Sequence, residues 1–328
     1  MLNYFYKTAT PNDFFASGPS GLGYALIYDA HNKKWNNKGG NSFESYTKLT
    51  QRYLERSGLR VITIWDQINE SQMNMYAKNC RYLYGVTQQD WQKQKGKIPV
   101  CIKQNKLAFI PNYPCYTNNV NNIIEMNEEA IAEFDGSHPI FITSQAVAWK
   151  VGPDSIIALK KKLEKLSPGN IVICRADHFF ALYNEANRLS YNLTLSAEMK
   201  ITTSPSSTSP EFVSDGTGSI TRSWISSKKG KKWIQFDFKR AYSLNRYVIR
   251  HAGVSGMDKS YNIKAFNLES SMDGKNWKKV DEQSNNKLDV TDIDFSPVEA
   301  RYLRINIIDS GKNKVARIGD VEVYGAVL

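Results

Sequence analysis

The hexapeptide WIQFDF, residues Trp233 to Phe238, decides the fold class of the second half of the chain. Ile234, Phe236 and Phe238 alternate with the residues at 233, 235 and 237, so the two sets fall on opposite faces of a β-strand. This alternation is typical of an antiparallel sheet with one face against a core.

Similar short segments surround this strand. RYVIRHA, FNLESS, WKKV, RYLRINII and VEVYG are separated by the turn sequences DGTGS, MDGKN and DSGKN, and helical periodicity is lost after about Tyr191. This pattern predicts an antiparallel β-sandwich over residues 189–328. The polar segment TTSPSSTSP, Thr202 to Pro210, resembles a linker, but a strand already precedes it, so the boundary is placed near Leu189.

The first half has a different hydrophobic pattern, in which apolar runs alternate with amphipathic segments. Helices are predicted near residues 42–58, 69–80, 121–134, 152–170 and 177–189, and RVITIW, RYLYGV, LAFIP, HPIFITS and IVICRA are predicted as strands. Repeated βαβ units predict a mostly parallel sheet with helical cover over residues 1–188. The chain is therefore expected to be multidomain, α/β followed by all-β.

Composition narrows the function classes. The net charge is +11, but residues 1–188 carry 22 basic against 16 acidic residues and residues 189–328 carry 21 against 16. Because the excess is spread evenly, nucleic-acid binding is not favoured. No apolar run reaches the roughly 18 residues of a membrane span, no signal peptide is visible, and the four cysteines form no CxxC pair, which favours buried free thiols.

The second half carries an ordered set of motifs: Asp215-Gly216, WIQFDF, LESSMDGKNWKKV, ARYLRI and RIGDVEVYG. Together they resemble the coagulation factor V/VIII type C (discoidin) domain, and most of all the family 32 carbohydrate-binding modules. The resemblance implies a jelly-roll-like β-sandwich that binds a glycan. Binding of protein or phospholipid, as in animal relatives, is the alternative.

The resemblance also implies a structural calcium ion near the joined ends of this domain. The positions that match are Asp215, Thr217 and Thr221 in SDGTGSIT, and Gly319 and Asp320 in RIGDVEVYG. Calcium takes six to eight oxygen ligands, many of them from turns. A solvated turn without metal is the alternative.

Sugar binding in such modules uses loops at one end of the sandwich. The loop RHAGVSGMDKSYN offers Arg250, His251, Asp258, Tyr261 and Asn262, an aromatic ring with hydrogen-bonding partners. His251 and Asn262 match the family's ligand loop, while a structural role for the histidine remains open. Trp224 is expected in the core.

The glycine-rich stretch SGPSGLGY, residues 17–24, matches neither phosphate-binding pattern. A P-loop needs a Lys-Ser/Thr pair, and a Rossmann turn needs GxGxxG opening a helix. With the preceding TATPNDFFA and the later GLRVITIW, YLYGV and IVICRADHFFALYNEA, it instead resembles the GxGYxYP family of glycoside hydrolases. The pattern departs after Tyr24, where Ala25 to Ile27 replace xYP.

This second resemblance implies a (β/α) barrel-like hydrolase domain. Residues 1–188 are fewer than the roughly 250 of a complete barrel, so the domain is predicted to be partial. Hydrolysis needs two carboxylates beside the glycosidic bond. Asp66, directly after RVITIW, and Asp13, in TPNDFF, are the candidates, although Asp66 could instead cap the next helix.

Asp90 follows the strand YLYGV at some distance, and Asp177 follows IVICRA but is more in keeping with a helix cap. The two resemblances imply an extracellular or cell-surface protein directed at glycans. Two functions stay open: a glycoside hydrolase carrying a calcium-stabilised sugar-binding module, or a non-catalytic carbohydrate-binding or adhesion protein with an inactive first domain.

Overall fold

A computed structural model describes residues 14–23, 25–27, 42–90, 102–104, 107–196, 198–205, 209–216 and 222–328. The chain divides into two compact units, with Tyr183 in the first and Asn184 in the second. Among these residues, no helix combines the length and the apolar character that a membrane span requires.

The first unit contains a small sheet with helices. Its strands are β1 Val61–Trp65, β2 Gly85–Gln89, β3 Ile102–Gln104 and β4 Leu107–Pro111, and its helices are α1 Ser42–Ser57, α2 Glu70–Asn79, α3 Asn121–Glu133, α4 Pro153–Leu166 and α5 Ala176–Ala186. The strand order is β1-β2-β4-β3. Strands β1, β2 and β4 are parallel and β3 is antiparallel to β4. The prediction of a mostly parallel sheet is confirmed for this part, and the barrel-like closure stays a prediction.

Close packing holds α5 against this sheet. Phe180 and Tyr183 of α5 pack with Val61, Ala108 and Ile110 in one buried cluster. A Cβ on Gly85, at the start of β2, would lie 2.0 Å from Cδ1 of Phe180. The ring is fully buried and has no space to move aside, so this position requires glycine.

Helix α2 begins with a capping box. The side chain of Asn69 accepts from the N–H of Gln72, and the Gln72 side chain accepts from the N–H of Asn69. Asn69 therefore caps this helix, and the alternative that Asp66 caps it is wrong.

Two predicted strands of the first unit are wrong. Of HPIFITS, only Thr143 forms a bridge, to Asn112, and IVICRA is irregular up to the start of α5. Val172 is 72% exposed, and no strand among the described residues pairs with this apolar run. An apolar run without a paired neighbour cannot satisfy its backbone as a strand.

The second unit is an eight-stranded antiparallel sheet. Its strands are β5 Tyr191–Asn192, β6 Lys200–Ser204, β7 Trp224–Ile225, β8 Lys232–His251, β9 Ala265–Ser271, β10 Lys278–Gln283, β11 Val290–Asp309 and β12 Arg317–Val327. The main order is β10-β9-β11-β8-β12-β5, with β6 paired to β8 and β7 paired to β12. This sheet fits the predicted discoidin-like β-sandwich.

The alternation in WIQFDF is confirmed. Ile234 and Phe236 are fully buried and Phe238 is 4% exposed, as is expected for one face against a core. Trp224 is buried too, as predicted. WIQFDF and RYVIRHA, predicted as separate strands, belong to the single strand β8, which passes through a left-handed residue, Lys239, at φ 69°.

Candidate functional sites

The glycine-rich turn lies beside β1. The N–H of Ser17 donates to Val61 O at 2.8 Å, the N–H of Ser20 donates to Thr63 O at 2.6 Å, and the Ser20 hydroxyl accepts from the N–H of Trp65 at 3.2 Å. These bonds bring the turn to the carboxyl end of β1.

The backbone of the turn forms hydrogen bonds with side chains of neighbouring helices. The N–H of Leu22 donates to Thr50 Oγ1 at 3.2 Å, and the hydroxyls of Tyr46 and Tyr76 both donate to Ser20 O. Gly21 has φ +107°, and a Cβ there would lie 2.6 Å from Thr50 Cγ2. The glycine is needed for a left-handed turn in close contact with α1, rather than for binding phosphate.

Two carboxylates follow neighbouring strands of the first unit. Trp65 at the end of β1 is paired with Gln89 at the end of β2, so Asp66 and Asp90 come next on the two strands. Neighbouring strands lie about 4.8 Å apart, and the carboxyl ends of parallel strands share one edge. Asn112 follows β4 at the same edge and is buried.

Polar groups continue into the interior at this edge. Gln88, Gln89 and Asp90 are all buried, and Gln88 Nε2 donates to the backbone carbonyl of Asp66 at 3.1 Å. Asp66 has φ 65°, a left-handed conformation that is uncommon outside glycine. A non-glycine residue held at positive φ at a strand end is a reason to test this edge as a functional site.

Asp90 is a residue that sequence reasoning placed too far from its strand. The predicted strand YLYGV ends at Val86, but β2 runs to Gln89, so Asp90 follows it directly. The signal that could have found it is the run of amides and a carboxylate, QQD, after an apolar segment. Asp13 lies outside the described residues.

Asp177 lies in the first turn of α5, one residue inside the helix. Its carboxylate is buried and accepts from Arg175 at 2.6 and 3.1 Å and from the N–H of His178 at 2.9 Å. This paired carboxylate lies in the first turn of the helix, where a negative charge is stabilising.

The predicted sugar loop of the second unit divides into buried and accessible residues. Arg250, His251 and Asn262 are buried, with 2% of Asn262 exposed. Asn262 accepts from the N–H of Gly253 at 2.7 Å and donates to Asp289 at 2.9 Å. The described bonds of Asn262 thus hold the loop in place.

His251 is enclosed in the same way. Its Nε2 lies 2.9 Å from Thr291 Oγ1 and 3.1 Å from Asn286 Nδ2. Burial lowers the pKa of His251 to about 4, although nearby Asp289 opposes this. The imidazole is therefore uncharged at neutral pH. Its contacts with Thr291 and Asn286 give it a structural role in holding the loop.

Of the five predicted residues of this loop, Asp258 is exposed and Tyr261 is partly exposed. Two cations lie over the Tyr261 ring, Arg317 with Cζ at 4.7 Å and Lys312 with Nζ at 5.2 Å from the centroid. A Cβ on Gly311 would lie 2.4 Å from Asn262 O, so the turn that carries Lys312 is seated directly against the loop. The sequence did not indicate that Lys312 and Arg317 join this site.

The predicted calcium ligands are brought together in part. Asp320 on β12 is buried, follows Gly319, and accepts from the N–H of Gly216 at 3.1 Å, which places it beside Asp215. Arg222 donates to Asp215 at 2.8 Å. Thr217 and Thr221 lie outside the described residues.

This donor set suits a calcium ion only in part. Calcium accepts carboxylates together with backbone carbonyls, and two carboxylates share this corner. Arg222, however, already neutralises one of them. Within the described ranges, no group of three or more His, Cys, Asp or Glu side chains could hold a metal ion.

Two family models match this chain. Residues 1–184 match the family described as "GxGYxYP putative glycoside hydrolase C-terminal domain". Residues 196–321 match the F5/8 type C domain. The comparison with curated proteins found no match.

Solved structures with some similarity include three binding modules. One is the family 32 carbohydrate-binding module of Streptococcus pneumoniae EndoD, 28% identical, with 33% of this chain and 77% of that chain covered and a TM-score of 0.30. Another, CpGH89CBM32-5 from Clostridium perfringens in complex with GalNAc-β-1,3-galactose, is 18% identical over 38% and 94%, with a TM-score of 0.34. The third is chitosan-binding module 1 of a Paenibacillus chitosanase/glucanase, 21% identical over 41% and 99%, with a TM-score of 0.34.

The two matches follow the order of the two units. The glycine turn beside β1 lies within the first match, and the antiparallel sheet of residues 191–327 covers the second. The chain belongs to the GxGYxYP C-terminal domain family, and an F5/8 type C domain follows that region.

Proposed function

We propose that this protein is directed at carbohydrates: the first unit hydrolyses glycosidic bonds, and the second binds a glycan through the loop that carries Tyr261. The two family matches support the carbohydrate-directed function. The observation that carries the catalytic part is the pair Asp66 and Asp90, next in register after two neighbouring parallel strands.

The pair suits hydrolysis with retention of configuration. In that mechanism the two carboxyl groups lie about 5 to 5.5 Å apart, close to the spacing of neighbouring strands. One carboxyl protonates the leaving oxygen while the other attacks the anomeric carbon, and water then cleaves the glycosyl ester. We assign the nucleophile to Asp66, because it is the more exposed of the two.

Substitution tests this assignment. Asp66→Asn and Asp90→Asn in the full chain should each lower the release of reducing sugar roughly 10²- to 10⁴-fold, since each removes one carboxyl from the reaction. Asp154→Asn, an exposed acid in the first turn of α4, is the control and should retain activity. Circular dichroism checks that each variant is folded.

Activity that survives in both variants would contradict the pair. Release of no sugar from any of a panel of soluble polysaccharides, together with glycan binding by the same chain, would instead favour a non-catalytic carbohydrate-binding protein.

The binding part rests on Tyr261 and its cations. A tyrosine ring can stack on a sugar, and Arg317 and Asp258 beside it can bond to hydroxyls. Tyr261→Ala should lower glycan affinity about tenfold, or ~1.4 kcal/mol. Tyr53→Ala, which removes an exposed ring from α1, should change nothing on the same glycan array. Equal losses in both variants would contradict this site.

We propose further that a structural calcium ion is held by Asp215 and Asp320, with Thr217, Thr221 and Gly319 contributing oxygens. The bond from Gly216 to Asp320 supports this corner as the site. The ion would exchange for the guanidinium of Arg222 on Asp215.

A further inference from the structure

The side of the second unit's sheet that faces away from the core carries a cluster of aromatic and polar residues. Cross-strand pairing aligns Gln235, Arg304 and Glu269 in one row, and Trp233, Asn306 and Asn267 in the next. Paired residues point to the same face of a sheet. The opposite face holds the fully buried Phe236, Leu303 and Ile305, whereas all six residues of the two rows are partly exposed.

Arg304 lies between two tryptophans. Its Cζ is 3.7 Å from the ring centroid of Trp277 and 5.1 Å from that of Trp233. Its Nη2 and Nε donate to Gln235 Oε1 at 2.8 and 3.2 Å. The guanidinium is thus held by cation–π contacts and by a neutral amide. We call Arg304, Trp233 and Trp277 the arginine–tryptophan column.

The direct hydrogen-bond partner of Arg304 is a neutral amide, the side chain of Gln235. Within the described part of the chain no acid forms a salt bridge with Arg304. Burial lowers the pKa of its guanidinium, and the charge of Glu269, opposite it on β9, opposes this only in part. Arg301, three residues earlier on the same strand, differs: it donates to both oxygens of Asp237, at 2.8 and 3.1 Å. Arg304 is a partly desolvated cation with a neutral partner, and this arrangement favours an incoming anion.

The neighbours of the column suit a sugar better than a simple ion. Asn306 Nδ2 donates to Asn267 Oδ1 at 2.8 Å, which leaves further amide donors and acceptors beside the indoles. Indole rings stack on pyranose rings, amides bond to hydroxyls, and a guanidinium bonds to a carboxylate in bidentate fashion. The ligand that uses all three groups is a sugar with a carboxylate.

We propose that the arginine–tryptophan column, with Gln235, Asn267 and Asn306, is a second glycan-binding surface that selects uronic acids. The proposal rests on the proposed glycan binding of the second unit but uses a different surface. Arg304 lies five residues from Asp309, the end of β11 next to the Tyr261 loop, about 17 Å along the strand.

The test is isothermal titration of the full chain with three uronate-containing hexasaccharides: galacturonate, mannuronate and hyaluronan oligomers. Binding of at least one is expected, and its carboxyl-reduced form should bind about tenfold more weakly or not at all. Arg304→Gln and Trp277→Ala should each lower the affinity about tenfold. Arg301→Gln is the matched control and should stay within about twofold, because Arg301 is already paired with Asp237.

Tyr261→Ala separates the two sites and should leave uronate binding unchanged. Loss of uronate binding in Tyr261→Ala but not in Arg304→Gln would overturn the second surface while leaving the loop site standing. Binding of none of the three uronates would also overturn it. A hexaglutamate peptide that binds as tightly as the best uronate would show that the column recognises acidic peptides instead of sugars.

Discussion

His251 shows how one buried side chain links the sugar loop to stability. The imidazole contacts Thr291 and Asn286, and burial lowers its pKa from 6.5 to about 4. Between these two pH values the unfolded chain binds a proton that the folded protein does not bind, so folding becomes less favourable as the pH falls. This contribution to stability is fully present above about pH 6.5 and is lost as the pH falls toward 4.

The expected effect is a loss of up to about 3 kcal/mol in the free energy of unfolding between pH 7 and pH 4. Urea unfolding across this range measures it. His251→Gln keeps a hydrogen-bonding side chain but cannot titrate, so its stability should depend less on pH over the same window. The same slope in the variant and the wild type would show that His251 does not cause the effect.

Asp320 provides the test of the calcium proposal. Calcium that binds only the folded protein should raise the melting temperature of the second unit, by about 5 °C when the ion is far above its Kd. Chelator should reverse this, and Asp320→Asn should remove the difference between the two conditions. A melting temperature that does not respond to calcium in the wild type would contradict the calcium site. Asp215 would then be neutralised by Arg222 alone.

At this scale the sequence predicted which residues gather in the loop but not which of them solvent can reach. Arg250, His251 and Asn262 have the right chemistry for a sugar site, yet their side chains are buried. Tyr261 was predicted, whereas its cationic neighbour Arg317 comes from a distant strand. Burial and contacts across the sheet depend on the tertiary structure, which alternation along one strand does not determine.

The contact between β2 and α5 is one of the close-packed contacts that stabilise the first unit. Gly85→Ala would place a Cβ 2.0 Å from the buried ring of Phe180. We expect a loss of about 1 to 3 kcal/mol in the free energy of unfolding, because a close-packed ring has no space to shift. Gly23→Ala, whose added Cβ meets nothing within 4 Å, is the matched control. Equal urea midpoints for the two variants would contradict this packing.

Secondary structure was predictable where periodicity was strong. The helices near residues 42–58 and 69–80 are confirmed as α1 and α2, and LAFIP is confirmed as β4. IVICRA failed because an apolar run needs a paired strand, and its Val172 is largely exposed. Strand β2 runs to Gln89, beyond the predicted end at Val86. The difference arises because the amides of Gln88 and Gln89 look in the sequence like polar residues that follow a strand, whereas both are buried within it.

For the whole chain, the order of the two halves is predictable from the motifs and from the change in hydrophobic periodicity after about Tyr191. Both family matches confirm that order. The proposed catalytic pair is not predictable in this way, because Asp66 and Asp90 are separated along the chain and become neighbours only through the register of β1 and β2. Sequence spacing alone cannot establish that register.

The configuration of the released sugar shows whether Asp66 and Asp90 act together as a closely spaced pair, as we propose. A ¹H NMR time course of hydrolysis by the full chain records the anomeric form of the first product before mutarotation. The proposal predicts retention, because it places the two carboxyl groups at the roughly 5 to 5.5 Å of retaining enzymes, which leaves no room for a water between them and the sugar. A first product of inverted configuration would contradict this account.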